Sequence, residues 1–183
     1  MVWAIGGVGI LVIVFLVSIY NKLVTLQQRI KNAWAQIEVQ LKRRYDLIPN
    51  LVSTVKGYAA HEKETFERVT QARNMAIGAK NVQEQAGAEN MLSGALRQLF
   101  ALAENYPELK ANTNFMQLQE ELTNTEGKIA FSRQFYNDTV LKYNSTIQRF
   151  PAILVAGTFG FYQEIYFNLD DEAVARQAIK VEF

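Results

Sequence analysis

The first twenty residues, MVWAIGGVGILVIVFLVSIY, carry no charge, and the first charged side chain is Lys22. A bilayer hydrocarbon core about 30 Å thick needs roughly 20 apolar residues in a helix. Residues 1–21 therefore read as a transmembrane anchor. A secretory signal would carry a basic leading region and a small-residue cleavage site. Here no Lys or Arg precedes the apolar run, and Ser18-Ile19-Tyr20-Asn21 is a poor cleavage site. Trp3 and Tyr20 stand at the two ends, where amphipathic rings favour the membrane–water interface. Gly6, Gly7 and Gly9 make one end of the span slim enough for close helix–helix contact, although no strict GxxxG is present.

Orientation follows from the basic residues. Lys22, Arg29 and Lys31 lie just after the span, with only the α-amino group before it. The positive-inside rule then puts the N-terminus outside and the bulk of the chain in the cytoplasm. The absence of cysteine fits a reducing compartment.

Beyond the anchor the chain is long enough for a domain with its own core. Leu23, Leu26, Ile30, Ala33, Ile37 and Leu41 recur at alternating three- and four-residue steps, an apolar stripe on one helix face. No breaker separates this stripe from the span, so the anchor is expected to run on as one helix to about residue 45. Asp46 and Pro49 then mark a corner, since proline lacks the N–H donor and disfavours helix in the residue before it. Leu47, Ile48 and Leu51 would pin that corner, with Arg43 or Arg44 paired to a nearby carboxylate. Further helices are expected over about 50–79, 81–105 and 113–148, the last carrying Phe115, Leu118, Leu122, Ile129, Phe131, Phe135, Tyr136, Val140, Tyr143 and Ile147. The expected class is all-α: an N-terminal transmembrane helix continuous with an antiparallel up-and-down four-helix bundle over 22–150.

Residues 151–183 form the remaining segment. Its uncharged AILVAGTFGFYQ is too short to span a bilayer and too apolar for a free loop. It packs on the bundle, dips into a membrane surface, or meets another subunit. The preferred reading is an assembly surface, with Phe159, Phe161 and Tyr162 supplying buried area and Gly157 and Gly160 permitting close approach.

Catalytic options are few. His61 is the sole histidine, and position 65, where a zincin would place its second, is Thr. No phosphate-cradling loop and no nucleophile elbow occur, and no metal or cofactor is expected. Lys42-Arg43-Arg44 is the one basic cluster. The chain is near neutral overall, which argues against nucleic acid. On a straight helix Arg43 stands about 35 Å from Tyr20, far beyond the roughly 8 Å screening length. Pairing with acidic residues is the better use of the cluster. Residues 22–80 hold eleven Lys and Arg against five Asp and Glu, and 81–183 hold eight against thirteen. That split favours basic early helices lying against acidic later ones, with head-to-tail association as the alternative.

Tyr20-Asn21-Lys22-Leu23-Val24, the run NAWAQIEVQLKRRYDLIPNLVSTVKGYAAHEKETFERVTQAR over 32–73, FSRQFYNDTVLKYNSTIQRFP over 131–151, GTFGF over 157–161 and the terminal KVEF closely resemble the LemA family. The resemblance covers essentially the whole chain, and RRYDLIPNLV over 43–52 is its most specific part. It implies a single N-terminal membrane helix and a cytoplasmic helical bundle at the bacterial inner membrane. The family includes a magnetosome-associated relative of the MamQ type, and its members are often encoded near a membrane metalloprotease or a TPM-domain protein. It implies no catalytic activity and no active-site residues. The expected function is a non-enzymatic, membrane-anchored scaffold that self-associates as a homo-oligomer in the lipid bilayer. An adaptor or regulator of a membrane protease or transport complex is the alternative, and a hydrolytic enzyme ranks third.

Overall fold

A computed structural model describes residues 2–168, so the terminal KVEF and most of the expected C-terminal tail lie outside the described residues. Six helices follow one another: α1 (Val2–Lys56), α2 (Lys63–Gly78), α3 (Val82–Ala103), α4 (Pro107–Lys110), α5 (Thr113–Ile147) and α6 (Ala152–Phe159). No strand occurs among the described residues. The described residues divide into two compact units, one built from 2–37 and 132–166, the other from 38–131 with 167 and 168. Helices α1 and α5 contribute residues to both.

Helix α1 is one unbroken helix of 55 residues, about 80 Å long at 1.5 Å per residue. Its first part leaves Ile10 to Val17 largely exposed, as expected of a surface meant for an apolar medium. From Leu23 onward one stripe is buried. Leu23, Leu26, Ile30, Ala33, Ile37 and Leu41 are all at most 4% exposed.

The corner expected at Asp46 and Pro49 is not there. Residues 46–52 are helical, Pro49 sits inside α1, and the chain turns at 57–62 instead. The physical reason lies at Tyr45. A proline at 49 cannot donate to the carbonyl four residues back. The Arg73 Nε–H of α2 donates to that Tyr45 carbonyl at 2.8 Å and replaces the missing bond. Asp46 and Pro49 are exposed, whereas Ile48 and Leu51 are buried at 1% and 0%. Gly57 opens the real turn, where Tyr58 and Ala59 both donate to the Val55 carbonyl. The helix expected over 50–79 accordingly starts only at Lys63.

The later boundaries follow local chemistry. Asn81 caps α3, its Oδ1 accepting from the Glu84 amide at 2.9 Å, while the Glu84 carboxylate accepts from the Lys80 amide and the Asn81 side chain. This is a reciprocal cap of the capping-box kind. Pro107 occupies the first turn of α4, where its missing N–H costs nothing. Asn112 accepts from the Phe115 amide at 3.0 Å and caps α5. Within α5, Phe131 and Phe135 fall off the apolar face and are 73% and 47% exposed, unlike Tyr136, Val140 and Tyr143.

Candidate functional site

Two clusters of side chains stand out, one in each unit. The first surrounds Arg44, in the unit built on 38–131. Arg44 falls on the buried stripe of α1, between Leu41 and Ile48, and is 2% exposed. Its Nη1 donates to Glu89 Oε2 of α3 at 2.8 Å, and Nη2 donates to Ser93 Oγ at 2.9 Å and pairs with Glu126 Oε1 of α5 at 2.9 Å. Glu89 is also 2% exposed. Its other oxygen accepts from the Tyr45 hydroxyl and from Gln85 Nε2 at 2.9 Å. Gln85 also donates to the Tyr45 oxygen at 2.8 Å and to the Ala76 carbonyl at 3.2 Å.

Isolated buried charges cost many kcal/mol, so they survive only when paired and hydrogen-bonded. Here Glu89 takes donors on both oxygens, while Arg44 Nε has no hydrogen-bond partner among the described residues. Burial, and then the Glu89 charge, push the Tyr45 hydroxyl well above the usual phenol range. Partial burial also raises Glu126, opposed by Arg44 and reinforced by Glu89. Arg43, one position away, is half exposed and reaches Glu121 only at 3.9 Å. Lys42 is exposed, and His61 is exposed in the 57–62 turn. The basic cluster of the sequence is thus three residues with three different environments.

The second cluster lies in the unit that contains the apolar span. Helix α6 buries Ala152, Val155 and Ala156. Tyr20 of α1 meets Phe159 and Phe161 edge-on, with ring centroids 5.0 and 5.6 Å apart. An apolar cleft of about 470 Å³ is lined by Leu16, Val17 and Tyr20 of α1 and by Leu154, Val155, Thr158 and Phe159 of α6. The segment after α6 is held by α5. Asn144, 5% exposed, donates from Nδ2 to the Glu164 carbonyl and accepts the Glu164 amide on Oδ1, both at 2.9 Å. Tyr136, packed edge-on against Trp34, donates its hydroxyl to the Ile165 carbonyl at 2.9 Å. Burial, then the Glu164 charge, push the Tyr136 hydroxyl up to about 12. Tyr143 is raised by the same two causes.

The two glycines of this segment sit in different settings. Gly160 has φ of 71° and ends α6, with its own amide and that of Phe161 bonded to the Ala156 carbonyl. It is a left-handed helix cap, the conformation only glycine adopts cheaply. Outside its two neighbours and the backbone of its own helix, no described atom lies within 4 Å of the place a Cβ on Gly157 would occupy. Tyr162 is 82% exposed. Trp3 is almost wholly exposed at the start of α1.

A family model described as the LemA family matches residues 33–183. The chain belongs to the LemA family. It is 29% identical over 155 residues to protein LemA of Metamycoplasma hominis, an alignment covering 82% of this chain and 69% of that one. It is 25% identical over 175 residues to the magnetosome protein MamQ of Magnetospirillum gryphiswaldense, covering 81% and 64%. A second MamQ, from Paramagnetospirillum magneticum, matches equally. The chain spans about two thirds of the length of these relatives. The LemA match takes in Arg44, Glu89, Asn144 and α6, so most of both clusters lies inside the family region, while Leu16, Val17 and Tyr20 precede it.

Sequence reasoning missed Tyr45, Arg73, Gln85, Glu89 and Asn144. A signal was available for three of them. Arg44 and Tyr45 continue the step of Leu41, Glu89 precedes Leu92 by three, and Asn144 lies between Val140 and Ile147. A polar residue in register with an apolar stripe is a buried polar residue, and it needs partners.

Proposed function

We propose that the chain is a non-enzymatic helical scaffold, anchored in the bacterial inner membrane by residues 1–21 and self-associating there. Helix α1 carries this reading. Its leading part has no charge up to Lys22 and exposes its aliphatic side chains, and the same unbroken helix then supplies a buried stripe from Leu23 to Val55. One helix thus carries both a lipid-facing surface and a buried stripe. The short links between α1, α2, α3 and α5 support an antiparallel up-and-down arrangement of the four long helices. Arg44, with Glu89 and Glu126, supports internal use of the basic and acidic halves rather than head-to-tail pairing. The relatives' names, LemA and a magnetosome protein, attach to no reaction.

Lys22, Arg29 and Lys31 support a cytoplasmic location for the bulk of the chain. A reporter fused after Phe183 is expected to behave as cytoplasmic, and protease access to it from outside intact spheroplasts would overturn the orientation. Self-contact is assigned to the slim face of the span at Gly6, Gly7 and Gly9. The deciding measurement is particle mass in nanodiscs or mild detergent. Homo-oligomers from the purified chain support the scaffold. A monomer alone that becomes a larger species only with a metalloprotease or TPM-domain protein from the same cells would replace it with the adaptor reading.

A further inference from the structure

The 14 residues from Phe150 to Gln163 contain no charge; Arg149 and Glu164 bracket them. Helix α6 occupies the middle of this stretch and hides only one face. Ile153 is 49% exposed, Leu154 60%, Phe159 62%, and the flanking Phe150 and Tyr162 80% and 82%. A contiguous apolar surface of this kind is uncommon on a water-facing helix and marks contact with something apolar.

The neighbours of α6 say what that contact is. Its cleft is completed by Leu16, Val17 and Tyr20 of α1. These residues belong to the uncharged stretch, and Leu16 stands four residues inside Tyr20, about 6 Å along the helix axis. Through Leu16 and Val17, which line that cleft, α6 adjoins the uncharged stretch, where Val12, Val14, Phe15 and Leu16 are exposed as well. Whatever covers the end of the span covers α6. A helix at the headgroup–acyl boundary is buried about 5–10 Å deep.

The backbone meets the same demand. Polar groups entering an apolar medium must be bonded within the protein. Helix α6 satisfies its interior amides, and its end is closed by two bonds to the Ala156 carbonyl. The segment beyond is returned to α5 by Asn144 and Tyr136. Tyr162 and Tyr20 place phenol rings where a headgroup belt would sit.

We propose that α6 with Phe150 and Tyr162 is a second membrane-contact element, an uncharged apolar wedge seated in the headgroup–acyl boundary beside the end of the span. This rests on reading residues 1–21 as a span, and the occupant is lipid rather than a second copy of the chain. The chain has no cysteine, so single-cysteine variants of the full chain can carry a nitroxide. Phe15→Cys, Leu154→Cys, Tyr162→Cys and Val39→Cys are placed in vesicles of phosphatidylcholine and phosphatidylglycerol. Accessibility to oxygen and to a water-soluble nickel chelate is then compared. Labels at 154 and 162 are expected to show an oxygen-to-nickel ratio severalfold above that at 39, and below that at 15. A label at 15 in lipid with 154 and 162 open to nickel overturns the wedge and leaves the span. A label at 15 open to nickel overturns the span itself, and the wedge with it. Labels at 154 and 162 shielded from both reagents, with spin–spin broadening that disappears on dilution with unlabelled chain, assign the surface to a second copy and overturn the lipid contact.

Discussion

Glu89→Leu should be among the most damaging single substitutions in the chain. The wild-type carboxylate accepts from Arg44, Tyr45 and Gln85 while 2% exposed. Leucine fills much of the same volume and removes every acceptor. Arg44, also 2% exposed, would keep only Ser93 and the 43% exposed Glu126, and the Tyr45 hydroxyl would lose its acceptor. Breaking a buried pair from one side costs about 3–5 kcal/mol, because the surviving charge stays buried. Against a typical total of about 5–15 kcal/mol that is a large fraction. At roughly 2–4 °C per kcal/mol for a chain of this size, the melting midpoint should fall by about 6–20 °C.

The assay is far-UV circular dichroism of the full chain in one detergent. Arg44→Met/Glu89→Leu in the same chain should recover most of the loss, since a buried pair replaced by apolar residues is often neutral. Arg43→Ala serves as the contrast. Its carboxylate lies 3.9 Å away with both side chains about half exposed, so the change should stay below about 1 kcal/mol. A Glu89→Leu midpoint within about 1 kcal/mol of wild type, or a double variant as damaged as the sum of its singles, would refute the buried-pair account.

Arg73→Leu should cost about 1–3 kcal/mol by orphaning the Tyr45 carbonyl that Pro49 frees, and adding Pro49→Ala should restore most of it; equal loss in both backgrounds would contradict that link. Asn144→Leu should release the 161–166 segment, read as faster hydrogen exchange at the Glu164 amide and proteolysis confined to that segment, with unchanged protection there as the contrary result. Tyr136 should ionise near 12 in the folded chain against 10.0 unfolded. Its contribution is whole below pH 10.0 and is lost as pH rises through 10.0 to about 12, by about 2–3 kcal/mol; Tyr136→Phe should flatten that window in urea titrations.

Much of the helical content was legible because it rests on period. The six stripe residues from Leu23 to Leu41 are all buried, and the ends of α3 and α5 fall within two residues of expectation. The corner at Pro49 was misplaced for a reason local rules cannot hold: the bond that rescues the helix comes from Arg73, 28 residues on. Gly57 falls inside the helix expected over 50–79, yet it begins the actual turn. Position 160 has a positive φ, a demand for glycine that periodicity does not reveal. The partners of Arg44 lie 45 and more residues away, so the sequence could mark it as a polar residue on an apolar stripe without naming Glu89. The uncharged 152–163 stretch was visible as an anomaly, but its place beside Leu16 and Tyr20 is a tertiary fact.

Glu126 is where a structural and a chemical account of the interior part ways. A raised carboxylate beside an arginine, at the edge of a cleft of about 230 Å³ with Ser93 and Arg97, resembles a site poised for proton transfer. Its perturbation has sufficient local cause, however: partial burial and the nearby Glu89, offset by Arg44. Because the folded value is raised, the stability linked to this group is whole below the ordinary value of 4.5 and is lost as pH rises through the folded one. Glu126→Gln removes that dependence while leaving an oxygen to accept from Arg44 Nη2. On the structural account the variant should melt as wild type does near neutral pH, lack the gain in stability expected of wild type as pH falls toward 4.5, and form particles of unchanged mass. A variant that kept its fold and size but lost cellular function would turn Glu126 from a half-exposed partner of Arg44 into a chemical group, and the scaffold reading would fall with it.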